Sequence, residues 1–175
     1  MLLDREQFRR HFTDYKRSAW RFETQPTYAM PDELEELSQF LAGEPMPSDY
    51  NEEWHGRVRY MVEAGKTISR VRTVRRPLTD YQRYQFAWIV PGNIEAGEDF
   101  RILDLTDLDL DLPTQDFWLF DDTTVVQLNF RPDGTLVDRQ KPADSAQYLV
   151  WRDTAVSHSV PFGEWTAEHF MRDHD

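Results

Sequence analysis

The stretch Phe117-Trp118-Leu119-Phe120-Asp121-Asp122-Thr123-Thr124-Val125-Val126-Gln127-Leu128-Asn129-Phe130 decides the fold class. Its first four residues are all apolar, the pattern of a strand buried on both faces. From Thr124 the chain alternates, with Thr124, Val126, Leu128 and Phe130 on one face, the period of two that a strand imposes. Asp121-Asp122 between the two runs predicts a tight hairpin. Arg131-Pro132-Asp133-Gly134 follows, with Pro second and Gly fourth, as a β-turn prefers, and a further short strand is expected at 135–139.

Upstream of the hairpin, helices and strands interleave. Phe8, Phe12 and Tyr15 recur at helical spacing within 4–17. Residues 18–24 alternate, Trp20 and Phe22 against Arg21 and Glu23, and predict a strand. Pro31 opens a helix whose early Asp32 and Glu33 suit the positive N-terminal end, with Leu34, Leu37 and Leu41 as its apolar face. A third helix over about 49–64 carries Trp54, Val58, Met61 and Val62 on one side and Gly65 as its C-terminal cap. Thr67 to Arg75 is rich in β-branched residues and predicts a strand ended by Pro77. Thr79-Asp80-Tyr81-Gln82 fits a capping box, opening a helix over about 79–89 that Pro91 and Gly92 are expected to break.

Phe100 to Asp104 predicts a short strand, and the acidic 105–115 a loop or a single helical turn. Pro142 is expected to open a long helix to about 159, ended by Pro161 and followed by a short aromatic segment with Phe162, Trp165 and Phe170. The sum is one α+β (or α/β) domain over 1–171, a mixed or antiparallel sheet of about five strands flanked by about five helices, with a frayed tail at 172–175.

Composition narrows the function classes. Cysteine is absent, which excludes disulfides, thiolate zinc sites and thiol nucleophiles. No basic region followed by an apolar run opens the chain, and no stretch approaches the roughly 18 apolar residues of a membrane span, so a cytoplasmic location is expected. The net charge of -12 repels phosphate backbones, so direct nucleic-acid binding is not expected. The dense basic patch is Arg70, Arg72, Arg75 and Arg76.

Most motif-like features fail on chemistry. Asp107-Leu108-Asp109-Leu110-Asp111 opens like a calcium loop, but the sixth position is Leu112, not Gly, and the twelfth is Trp118, not Glu. His11, His55, His158, His169 and His174 lack the spacing that puts two imidazoles on one helix face, so no metal is expected. Ser157-His158-Ser159 are sequence neighbours, which point apart on a helix. No glycine cluster precedes a helix as a phosphate loop requires, and no cofactor is implied.

Two features remain. Arg70 and Arg72 alternate onto one face beside Ile68 and Val74, where guanidinium groups either recognise a carboxylate or phosphate, or pair with structural Glu and Asp. The aromatic content, 14%, exceeds what helix faces need, so some rings line a pocket or a partner surface, while Phe12, Phe22, Trp54, Trp88 and Trp118 are assigned to the core.

Several phrases together resemble an actinobacterial, Streptomyces-type family of uncharacterised proteins. They are Trp20-Arg21-Phe22-Glu23, Phe40-Leu41-Ala42-Gly43-Glu44-Pro45, Arg70-Val71-Arg72, Pro77-Leu78-Thr79-Asp80-Tyr81-Gln82-Arg83-Tyr84, and Asn93 with Ala96-Gly97-Glu98-Asp99-Phe100-Arg101. Asp116-Phe117-Trp118-Leu119-Phe120-Asp121-Asp122, Trp151-Arg152-Asp153 and Val160-Pro161-Phe162 complete the set over nearly the whole chain. The resemblance implies a gene context beside helix-turn-helix regulators of the XRE type, hence a regulatory role. Gln85 departs from the family pattern, where Glu stands after Tyr-x-Arg-x. A fainter likeness to half of a phospholipase D-like domain carries no activity. That chemistry needs Lys two residues after a His, and those positions hold Thr13, Arg57, Val160 and Met171.

The expectation is a non-catalytic regulatory or interaction domain that binds a small ligand or a helix-turn-helix regulator. Its binding residues are Arg70, Arg72, Tyr81, Arg83, Asn93, Glu98 and Arg101. The rivals are an enzyme using Glu23, Asp80 or Glu98 as general base, and an acidic DNA mimic.

Overall fold

The apolar run at 117–120 sits beside the strand at 18–23 in the middle of the sheet, and the rest of the fold is arranged to cover it. The computed structural model describes residues 1–169. Helix α1 (Arg5–Asp14) leads into β1 (Ser18–Glu23), and a single 3-10 turn (Pro31–Glu33) runs into α2 (Leu34–Leu41). Helix α3 (Glu52–Glu63) precedes β2 (Thr67–Val74). Then α4 (Asp80–Tyr84), a π-helical segment (Gln85–Ile89) and α5 (Val90–Ala96) form one continuous helix before β3 (Asp99–Asp104). The chain closes with β4 (Asp116–Phe120), β5 (Thr124–Phe130), β6 (Leu136–Gln140), α6 (Ala146–His158), the two-residue β7 (Val160–Pro161) and α7 (Phe162–His169).

The sheet is mixed, with order β6-β5-β4-β1-β2-β3-β7. Strands β1, β2 and β3 run parallel, and the other pairings are antiparallel. The fold is α+β as expected, with seven strands in place of about five. Strand β7 was not legible because a two-residue strand containing Pro carries no periodic signal; it sits at the sheet edge, where a strand tolerates Pro.

Each face of the sheet is covered. Trp20, Phe22, Val71, Leu103 and Phe117 pack under α6, where Tyr148 meets Phe117 edge-on at 4.9 Å. The opposite face carries Ala19, Ile68, Trp118, Phe120 and Val126 under α1 and α3. The hairpin at 121–123 closes as expected. Asp121 and Asp122 both adopt left-handed backbone, and the Asp121 carboxylate accepts the N–H groups of Lys16, Arg17 and Ser18 at 2.7–3.0 Å, tying the turn to the start of β1.

Several helix boundaries differ from expectation: α1 ends at Asp14, short of 17, and α3 begins at Glu52. The helix from Asp80 passes through Pro91-Gly92 to Ala96 because the wider π turn ahead of Pro91 leaves room for a ring that would clash with the preceding turn of an α-helix. The last long helix starts at Ala146, not Pro142, and Phe162 to His169 is a helix of its own. Val62, expected on the buried side of α3, is 40% exposed. The expected frayed tail at 172–175, with Phe170, lies outside the described residues. Among the described residues no helix is long and apolar enough to cross a membrane.

Candidate functional site

Period-two alternation decides which polar side chains meet. Arg21 and Glu23 on β1 share a face, and the parallel register sets Arg21 opposite Arg70 and Glu23 opposite Arg72. On the other flank of β1, Trp118 stands opposite Arg21, and Asp116 lies at the start of the same strand. Three arginines and three carboxylates (Glu23, Glu98 and Asp116) are thereby gathered beneath the helix layer.

Glu23 is the hub. Arg70 donates to it at 2.6 Å and to Glu98 at 2.9 Å. Arg72 donates through Nε to Gln85 Oε1 at 3.1 Å and lies 3.5 Å from Glu23 Oε1, the same oxygen to which the Gln85 amide donates, while Arg70 takes Oε2. Arg21 donates to Asp116 at 3.1 Å, and Tyr28 gives its hydroxyl proton to the same carboxylate. Burial alone would raise the Glu23 pKa; Arg70, Arg21 and Arg72 outweigh it and hold the group at about 2. Rings complete the enclosure, with the guanidinium of Arg72 5.4 Å from the Tyr28 ring centre and that of Arg21 5.6 Å from it.

Above this floor lies a cavity of about 390 Å³, in the range of small-molecule sites. One wall is the long helix. Tyr81, Gln85, Ile89 and Asn93 all face the space at intervals of four. In a pure α-helix each such step over-rotates by about 40° and the row would wind away. The π segment under-rotates and brings the row back into line. Phe12 of α1, Trp54 of α3, and Trp118 and Phe130 of the sheet supply ring surface. Asn51, in left-handed backbone, donates to Asn93 at 3.3 Å and closes one corner.

One carboxyl differs from the rest. Glu33 reaches the cavity from the 3-10 turn and accepts the Tyr81 hydroxyl at 2.8 Å. Burial raises its pKa against the lowering effect of that hydrogen bond. The Tyr81 hydroxyl is in turn pushed well up, by burial and by Glu33.

Of the residues singled out in the sequence, Arg70, Tyr81 and Asn93 line the cavity, and Arg72 and Glu98 lie buried in or against its floor. Arg83 does not join them. It is on the outer side of α4, paired with Asp80 and bonded to the Leu78 carbonyl at 3.4 Å. Arg101 points to the opposite face of β3, where it donates to the Ser159 hydroxyl at 2.9 Å and the Ser159 carbonyl at 3.0 Å. Phe12, Trp54 and Trp118, assigned to the core, line the cavity as well.

Sequence reasoning missed Arg21, Tyr28, Glu33 and Asp116 as parts of one site. The alternation of Arg21 and Glu23 was visible; that β1 lies mid-sheet with helices on both faces, which turns its polar side inward, was not. Gln85, noted as a departure from Glu, bridges Arg72 and Glu23 by offering an acceptor to one and a donor to the other.

Glu23, Asp80 and Glu98, considered as general bases, are all engaged by arginines. Among the described residues the cavity lining holds no Ser, Thr, His or Lys. No curated protein matches the chain. Over residues 6–167 it matches the family described as a domain of unknown function, DUF6879, and it belongs to that family.

Proposed function

We propose that this domain is a non-catalytic regulatory module that binds a small molecule in the cavity over β1 and β2 and signals its occupancy to a helix-turn-helix regulator in the cytoplasm. One observation carries the binding half: a charge-balanced set of buried arginines and carboxylates forms the floor of an aromatic-walled cavity. Removing each ion from water costs several kcal/mol, and apolar residues of similar volume would stabilise the fold at least as well. Such a floor makes sense for what it offers a ligand. The regulator half rests on the gene context that the sequence resemblance implies, which is association.

The enzyme reading draws on Glu33, a carboxyl in the cavity with a raised pKa, as a general acid would need. Among the described residues the lining offers it no Ser, Thr, His or Lys as a partner, which favours the binding reading. In the DNA-mimic reading, the negative charge of the whole chain would occupy a regulator's DNA-binding face.

Native mass spectrometry of the protein incubated with a metabolite extract of its source cells tests the binding half. A small molecule bound one to one, and lost in Trp54→Ala, is expected; a protein that stays at its bare mass contradicts the reading. For the partner, affinity capture should recover a helix-turn-helix regulator at low and moderate salt. Recovery at low salt alone, competed by operator DNA, would instead favour the mimic.

A further inference from the structure

The lining of the cavity holds more arginines than carboxylates, although the chain as a whole is acidic. The chain carries -12, yet the charged groups lining the cavity are Arg9, Arg21, Arg57, Arg70 and Arg139 against Glu23 and Glu33. Arg9 and Arg57 are exposed at the mouth, Arg57 paired with Glu53 at 3.3 Å. Arg139 is half-buried beside them, its guanidinium 5.1 Å from the Phe8 ring centre and its Nε without a partner. A positive mouth on a negative surface draws small anions inward.

The floor shows where the anion would dock. Arg21 and Arg70 are direct cross-strand partners, an arrangement that repels unless negative charge is held between them. Their guanidinium carbons lie 5.8 and 5.9 Å from the centre of the same Trp118 ring, and both reach Glu23. Arg21 spends Nη2 on Asp116; Arg70 spends Nε on Glu98 and Nη1 on Glu23. Among the described residues no hydrogen bond uses Arg21 Nη1 or Arg70 Nη2, and the two side chains keep 17% and 10% of their surface open.

We infer that the cavity takes an aromatic monocarboxylate, whose two oxygens are bonded by Arg21 Nη1 and Arg70 Nη2 and whose ring lies among Tyr28, Trp54, Tyr81 and Trp118. This rests on the ligand-binding reading above. Two N–H groups from two neighbouring guanidiniums match the two oxygens of a carboxylate. A dianionic phosphate would find too few donors and would set its second charge against Glu23, which is ionised at neutral pH. The walls are rings, and flat apolar bodies bury the most surface against rings.

The test is isothermal titration calorimetry with benzoate, 2-naphthoate and indole-3-carboxylate, each beside its neutral primary amide, and with 2-naphthyl phosphate. The carboxylates are expected to bind roughly tenfold or more tighter than their amides, and the phosphate no tighter than 2-naphthoate. Arg21→Gln should weaken 2-naphthoate by roughly tenfold with the far-ultraviolet circular dichroism unchanged. If that variant does not fold, Arg139→Gln at the mouth should slow 2-naphthoate association several-fold at low salt. Equal binding of amides and carboxylates overturns the anion class while leaving a ligand-binding cavity. Tighter binding of the phosphate overturns the carboxylate assignment. No binding of any probe overturns the inference, and the extract experiment then decides separately whether the cavity binds at all.

Discussion

At the scale of single residues, two carboxyl groups about one cavity respond to pH with opposite signs. Glu23 is depressed to about 2, so it stabilises the fold above the ordinary carboxylate value near 4.3, and that contribution drains away as pH falls toward 2. Glu33 is raised, so it favours folding below its unfolded value, and that contribution is lost as pH rises through its folded one. Glu23→Gln strips Arg70 and Arg72 of their shared partner and should cost about 3 kcal/mol at pH 7, shrinking as acid protonates Glu23 in the parent. Glu33→Gln keeps an acceptor for Tyr81 and removes a half-buried charge, so it should raise the melting temperature at pH 7 and change it little below pH ~4. Melting curves from pH 3 to 8 check both; parallel curves for either variant and the parent would contradict the assigned environments. Of these residues, Arg70 and Arg72 were legible from alternation alone. Glu33 was not, because an acidic residue early in a helix is already explained by the helix dipole.

At the scale of elements, the helix over 80–96 decides how the site is built. Its capping box was readable from Thr79 and Gln82, and both hydrogen bonds form. Its length was not, because Pro91 and Gly92 are the ordinary end of a helix and a π segment has no sequence period by which to find it. Gly92 has its own reason to be glycine: a Cβ there would lie 2.5 Å from the ring of buried His55 on α3. Alanine in a helix interior gains about 0.5–1 kcal/mol over glycine, whereas overpacking a tight contact costs about 1–3 kcal/mol. The clash wins, so Gly92→Ala should lower stability by about 1 kcal/mol, read as a lower urea midpoint at unchanged slope. A higher midpoint would mean that α3 and α5 pack loosely and that the cavity wall is not fixed by their contact.

At the scale of the whole molecule, the fold class and the negative charge were legible in the sequence, but not where the arginines gather. Arg9, Arg21, Arg57, Arg70 and Arg139 come from five separate elements, and only the sheet order and the helix layer bring them to one cavity. The sum over the chain argued against nucleic acid, and the local gathering of arginines argues for a small anion. The most direct test is nitrogen-15 NMR of the arginine side chains during titration with 2-naphthoate. The Nε–H signals of Arg21 and Arg70 should shift together and saturably, while that of Arg101, held by Ser159 on the far face of the sheet, stays in place. Movement of Arg101 or Arg83 without Arg21 and Arg70 would contradict the account and place binding outside the cavity over β1 and β2.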